Sequence, residues 1–353
     1  MKELIRYKIQ REDTLESIAA KHGLSIKELV TFHNQSCGVT ETILNDYLPL
    51  HLEHIFLEIK TEEKQQKSNN TTTSNKARYR AEQTVITKIN GIIQNHADTK
   101  REFFVIKEYN NSKLLIKTAL VENIIKINPM ALQDAMNIIC EVDLLKCDAI
   151  LEPDLKTGKI KKVRNHDEII KRWKKYRNNL ESKFGFIRSD TTKNDFKRFI
   201  DASENVIINE ENLKTDFNAK LFFDLFFDKY LVSKDNLFDS FNKKLNSQLL
   251  ENIPVELKFR QDILSETEDT VTVRKVGELN KNSLNIDGLK KSYEERYLPI
   301  VGYKFSEYNF SMREHTILDV TNQWIEDSEV TIIEEVKNNV QILISYKLKK
   351  IET

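Results

Sequence analysis

Seven histidines, 55 acidic residues and eight glycines are spread along this chain, and few of their spacings could do chemistry. His51 and His54 lie three apart and could share a helix face, but no nearby cysteine completes a metal-ligand set, and a surface pair is the simpler reading. His166 follows a cap signal and is expected to face solvent. His315 falls in a strand pattern, where a satisfied core or rim histidine is commoner than a base. Glu334 and Glu335 are strand neighbours, so they point to opposite faces and cannot work as an acid–base pair. The glycines are too far apart for a phosphate-cradling loop, and neither G-x-S-x-G nor H-E-x-x-H occurs. The residues suggest no catalytic set, no metal site and no cofactor. The expectation is a protein that is not an enzyme, with a motif-free catalytic centre in the large C-terminal region as one alternative.

Two further clusters have a chemical and a bland reading. Lys159–Arg164 and Lys171–Arg177 are basic with interleaved aromatics and could touch a polyanion. Trp173 and Tyr176 packed inward behind a solvated helix face explains them more simply. Phe217, Phe222, Phe223, Phe226 and Phe227 form a stripe that reads as a core helix, although a half-barrel lined by such residues could hold an acyl chain or an apolar peptide. Lys+Arg and Asp+Glu are equal at 55 each, which argues against a general nucleic-acid or anionic-membrane binder. Three cysteines, Cys37, Cys140 and Cys147, make no disulfide framework and read as reduced thiols; Cys140 and Cys147 could pair in an exported protein. No apolar run approaches the roughly 20 residues that span a bilayer. Met1–Arg6 carries no signal-peptide core, so the expected location is the cytoplasm, unless a dedicated machine exports the protein.

The elements that must position these residues fall into two regions. Residues 61–76 are polar and hold no large apolar side chain, which predicts a flexible linker between a domain over 1–60 and one over 77–353. In the larger region, strand patterns cover Arg80–Asn90, Glu102–Tyr109 and Lys113–Val121. A helix face runs through Met130, Leu132, Ala135, Met136, Ile139 and Cys140. Asp148–Leu155 and Ile160–Val163 form a hairpin around Gly158. Asn165 reads as the N-cap of the next helix, with Glu168 three residues on. Residues 194–250 read as helical. Strands return at Val255–Ile263 and Val271–Val273. They continue over Tyr303–Met312, where a frame shift signals a bulge, and over Glu329–Val336 and Val340–Ile351. Without a regular βαβ rhythm, the fold class is α+β, with a curved antiparallel sheet covered by helices. This outline is similar to lipocalin-shaped or LolA-like half-barrels.

Near the start, Asp13-Thr14-Leu15-x-x-Ile18-Ala19 follows the extended Tyr7-Lys8-Ile9. Asp13 with Glu16, and Ser25 with Glu28, have the spacing of two capping boxes. Gly23 can end the first helix. Ile26, Leu29, Val30 and His33 give the second helix an inner face. A strand near Ile55–Ile59 would complete a miniature sheet, and Asn34 lies at the close of the second helix. These residues resemble a LysM domain over about 5–59, a βααβ module. The pattern departs from the family at Glu12, where glycine is usual, at Asp46-Tyr47, where Gly-Gln is usual, and in lacking the closing proline. The resemblance implies an N-acetylglucosamine groove between the loops after the first strand and after the second helix. By position its residues are Glu12, Asp13, Thr14, Leu15, Ile43, Leu44, Asn45 and Asp46.

The expected function is that of a non-enzymatic LysM-containing binding or adaptor protein. Its expected partner is a protein component, spike or baseplate, of a secretion or contractile injection apparatus of the type VI kind. The alternative is a peptidoglycan or N-acetylglucosamine-glycan binder acting at the cell wall. Neither nucleic acid nor a membrane span is expected.

Overall fold

The computed structural model describes residues 4–10, 13–22, 24–37, 43, 48–49, 52–58, 73–110, 113–184, 190–233, 240–250 and 253–352. The chain divides into two compact units, Met1–Asn69 and Asn70–Thr353.

Unit 1 runs β1 (Leu4–Lys8), α1 (Leu15–Lys21), α2 (Ile26–Ser36) and β2 (His54–Glu58). The two strands pair antiparallel, with Arg6 opposite Phe56 and Tyr7 opposite Ile55. Two short helices cannot persist alone in water, so their apolar faces decide the fold. Leu15, Ile18, Ala19 and Leu29 close on Ile43, Leu52, Ile55 and Leu57 in one buried cluster. His33 is wholly buried with them. Its Nδ1 accepts the Phe56 N–H at 3.2 Å, which ties α2 to β2. His54 lies in a strand, so it shares no helix face with His51, which is outside the described residues. Gly23 is also outside them.

Unit 2 is organised by one sheet. Its strands are β3 (Thr73–Ile89), β4 (Ile92–Asn110), β5 (Lys113–Asn128), β6 (Ala149–Pro153), β7 (Ile160–Val163), β8 (Phe241–Asn246), β9 (Pro254–Glu266), β10 (Thr270–Leu279), β11 (Tyr308–Asp319), β12 (Ile325–Val336) and β13 (Val340–Glu352). Among the described residues, eleven strands pair in the order β7-β6-β5-β4-β3-β13-β12-β11-β10-β9-β8. Neighbours are antiparallel throughout, and β13 closes beside β3, the first strand of the unit. Register shifts at Thr87/Lys88, Glu102/Phe103, Thr272/Val273 and Ile317/Leu318 add the local bends that bulges introduce.

Period-two alternation turns one face of this sheet inward. Ala77, Tyr79 and Ala81 of β3 lie opposite Val105, Phe103 and Arg101 of β4. Ile344 and Tyr346 of β13 continue the same face. Helix α3 (Gln133–Lys146) packs on β5, and the chain between β7 and β8 supplies most of the cover. That chain contains α4 (His166–Phe184), α5 (Asp190–Ile208), α6 (Glu210–Ala219), α7 (Leu221–Phe226) and α8 (Lys229–Ser233). Phe222 stacks flat on Phe103 at 3.6 Å between ring centroids, and Phe226 meets Tyr79 edge-on at 4.9 Å. The aromatic stripe is thus core, and each buried Phe contributes about 1.5–3 kcal/mol. Charged pairs fix the cover in place. Asp224 accepts from Lys159 Nζ at 3.1 Å and pairs with Lys243 of β8. Lys275 of β10 reaches Asp228 and Glu314, each at 2.8 Å. Burial alone would raise the Asp224 carboxyl, but Lys243 and Lys159 hold it down at about 2.

Several expectations need correction. Thr73–Lys76, placed in the linker, pair with Tyr109–Ile106 as the first turns of β3, because β4 offers backbone partners that offset their polarity. The remaining linker residues, 61–72, lie outside the described residues. The helical middle ends at Ser233, and Phe241, Lys243 and Leu245 alternate along β8 instead. Tyr303 and Phe305 precede β11 rather than lying in it. They follow two helices the pattern did not suggest, α9 (Ile286–Arg296) and α10 (Leu298–Val301). Asn165 receives the backbone of α4, but its side chain accepts from Ile150 N–H at 2.8 Å and donates to the Asp148 carbonyl, so it staples β6 rather than capping with Glu168.

Two outcomes follow for stability. Phe222→Ala removes the ring stacked on Phe103 and should cost about 3–5 kcal/mol in urea unfolding. Asp224→Asn should lower stability at neutral pH. Because the native pKa lies below the ordinary 3.8, the carboxylate's contribution is present above that value and is lost as pH falls through about 2. Urea titrations across that range should show the wild-type advantage over the Asn variant vanish; an advantage that persists at the acid end contradicts the assignment.

Candidate functional site

The loop from β1 into α1 is built on one carboxylate. Asp13 Oδ2 accepts the Tyr7 hydroxyl at 2.9 Å and the Gln10 N–H at 2.7 Å, while Asp13 N–H returns a bond to the Gln10 carbonyl at 3.1 Å. The Gln10 N–H is the largest of the influences that hold this carboxyl below its usual range; burial opposes it, and Tyr7 and Lys21 add to it. Lys21 Nζ also donates to the Tyr7 hydroxyl at 3.2 Å, linking the end of α1 to β1.

Asp13 does not cap α1, contrary to the sequence reading. Thr14 is the N-cap, and Ser17 rather than Glu16 completes the capping box: Ser17 N–H donates to Thr14 Oγ1 at 3.1 Å, and Thr14 N–H to Ser17 Oγ at 2.9 Å. The tyrosine at the end of β1 draws Asp13 away into the preceding turn. Ser25 caps α2 with Glu28 as expected.

The loop after α2 is held by Asn34. Its Oδ1 accepts Ile43 N–H and its Nδ2 donates to the Ile43 carbonyl, both at 2.8 Å. A side-chain amide used in both directions substitutes for a backbone partner and fixes the loop at that point.

Of the eight residues proposed for the groove, Glu12, Leu44, Asn45 and Asp46 lie outside the described residues. Asp13 and Thr14 stand at the accessible rim. Leu15 and Ile43 turn into the core at 0% and 2% exposure, so they offer a ligand backbone and not side chain. Tyr7, Gln10, Ser17 and Asn34 shape the loops and were not proposed as site residues. Asn34 was visible as a pattern position, but its contact with Ile43 spans nine residues and has no local signature.

The other sequence clusters resolve into structure. Lys159, Arg164, Arg172 and Arg177 pair with Asp224, Glu152, Asp148 and Glu204. Trp173 is wholly buried, and the Tyr176 hydroxyl donates to Glu141 at 2.7 Å. Four cations of the basic runs are therefore tied up in ion pairs, with Trp173 packed behind them. His166 Nε2 bonds to the Ile207 carbonyl at 2.7 Å instead of facing solvent freely. His315 is exposed on β11, opposite Arg274 and Glu329. Glu334 is fully buried, accepting from Tyr308 at 2.8 Å and from Gln248 N–H at 2.6 Å, whereas Glu335 faces the other side. Burial raises the Glu334 carboxyl, against the pull of these hydrogen bonds and that from Ser247. Among the described residues no group of three His, Cys, Asp or Glu is placed to hold a metal, and no helix is long and apolar enough to cross a membrane.

The LysM domain family model matches residues 7–32, which covers Tyr7 and Lys8 at the end of β1, all of α1 and most of α2. No family model is found for the C-terminal region. A LysM module points to carbohydrate or peptidoglycan binding as the coarse function. Curated proteins show no match to the chain. A solved structure described as "lipid-protein interactions in lipovitellin" is similar over 78% of this chain at 11% identity, with a TM-score of 0.39. This chain covers 25% of that one, about a quarter of its length.

Asn34→Ala should release the second loop. The cost to unit 1 is about 1–3 kcal/mol, read in amide exchange as lost protection at Ile43 with His33 still protected. Unchanged exchange at Ile43 would show that the loop is held by something other than Asn34.

Proposed function

We propose that this chain is a non-enzymatic binding protein whose unit 1 attaches it to an N-acetylglucosamine-containing glycan. The observation that carries this reading is the LysM match over residues 7–32 on a βααβ core with both helices capped. Anchor points fixed on a miniature core, at Asp13 and at Ile43, are what a shallow sugar groove needs, because ordering them on binding would cost affinity. In this reading unit 2 is the second binding element, delivered to wherever unit 1 docks.

A second reading keeps the groove but changes its ligand to a protein component of a secretion or contractile injection apparatus, with the protein acting in the cytoplasm. One observation favours it. The backbone amides of Gln10, Asp13, Thr14 and Ser17 are spent inside the loop, three of them on side chains of that loop. An acetamido group read by backbone amides would have to compete with those bonds.

Calorimetry of the full chain with chitin oligomers separates the two. The glycan reading expects saturable heat in the micromolar range. Silence at millimolar ligand removes that reading and leaves the protein-docking one.

A further inference from the structure

Beneath the α6–α7 junction the inner face of the sheet is left partly uncovered, and a cleft of about 260 Å³ remains there. One wall is apolar: Phe103, Phe222, Phe310, Met312, Ile332 and Ile344. The other elements lining it are polar and unequally satisfied. Lys220 is paired with Asp143 at 3.4 Å and with Asp216 at 3.2 Å, and Lys243 is paired with Asp224. Arg101 is not matched in this way. Its Nη1 donates to Gln83 Oε1 at 3.0 Å and its Nε to Asn123 Oδ1 at 3.2 Å, both neutral acceptors. Among the described residues no carboxylate lies within ion-pair distance of its guanidinium, and it keeps further N–H donors free. The lining thus holds three cations, Arg101, Lys220 and Lys243, against two carboxylates, Asp143 and Asp224.

Two buried polar atoms in the same cleft also lack partners. The Tyr346 side chain is 2% exposed and its hydroxyl makes no hydrogen bond, and Asn218 Oδ1 is likewise buried and unpaired. Folded proteins rarely leave such groups unmet, and each orphan calls for an occupant or a functional reason. Tyr346 and Arg101 lie close to each other: burial drives the phenol pKa up, and the nearby guanidinium works against that rise. Tyr346 sits opposite Gln83 in the β13–β3 register, and Gln83 is itself bonded to Arg101. A hydroxyl donor, an uncommitted guanidinium and an apolar wall meet in one cleft.

We infer that this cleft binds a medium-chain fatty carboxylate, with its head on Arg101 and Tyr346 and its tail against Phe103, Met312, Ile332 and Ile344. A cleft of about 260 Å³ has room for a medium-chain tail along its apolar wall. A carboxylate accepts from both Arg101 and Tyr346, which a neutral alcohol of the same length does less well. Asn218 takes a donor, supplied by an ordered water beside the chain.

The test is calorimetry of the full protein with octanoate and, separately, octanol. Octanoate should bind at sub-millimolar concentration and octanol at least about tenfold more weakly, the factor expected of a charge-assisted bond. Arg101→Gln should remove that difference by weakening octanoate alone, and Arg101→Lys should restore part of it. Tyr346→Phe keeps the ring and deletes only the unpaired hydroxyl, so it folds as the wild type does and carries the test if Arg101→Gln unfolds. It should weaken octanoate by about threefold or more and leave octanol unchanged. Equal affinity for acid and alcohol, indifference of octanoate to Tyr346→Phe, or no binding of either at millimolar concentration would overturn the proposal. None of these outcomes depends on whether unit 1 binds glycan.

Discussion

The inner face of the large sheet has to be covered, and the chain between its two edge strands supplies most of that cover, with α9 and α10 adding Leu289, Tyr293 and Val301 to the same core. Among the described residues, eleven antiparallel strands with period-two alternation collect tyrosine, phenylalanine and aliphatic side chains on one side. Exposed, that surface would far exceed the few hundred Å² a soluble protein tolerates. The Phe222–Phe103 stack and the Asp224 carboxylate between Lys159 and Lys243 are where the cover is fixed. The packing is apolar, and the ion pairs are directional, so together they set both the depth and the rotation of α7. Where that cover ends, the same face remains open beside α6, and within it the Tyr346 hydroxyl has no partner and Arg101 has neutral partners in place of a carboxylate.

Unit 1 solves the same problem on a smaller scale. Two of its polar side chains are each used twice. Tyr7 donates to Asp13 and accepts from Lys21, and Asn34 both donates to and accepts from Ile43. Gln10, Asp13 and Ile43 are thereby held in place before any ligand arrives. That suits recognition of a sugar, and the self-satisfied amides of Gln10, Asp13, Thr14 and Ser17 bear on which ligand is recognised.

What could be read in the residues was local. The βααβ module, the Ser25–Glu28 capping box, the inward His33, the Gly158 hairpin and the α+β class are all short-range patterns, and the structure contains each of them. What was missed depends on partners far along the chain. Asp13 looked like a cap because nothing nearby shows that Tyr7 will claim it. Asn165 looked like a cap until β6 folded back to bond it. Thr73–Lys76 is polar enough to read as linker, and only β4 makes it strand. The candidate cleft was least legible of all, since Arg101, Tyr346 and Asn218 come from β4, β13 and the end of α6, and what joins them is an arginine with neutral partners beside two unbonded polar atoms.

The account rests on unit 1 being the glycan-attachment point of an otherwise separate binding domain. Amide hydrogen exchange on the full chain, with and without chitohexaose, tests this most directly. The predicted result is new protection confined to the turn around Asp13 and Thr14 and to the loop at Ile43, with the strands of unit 2 unchanged. Protection confined to unit 2, or none anywhere at saturating sugar, would contradict it.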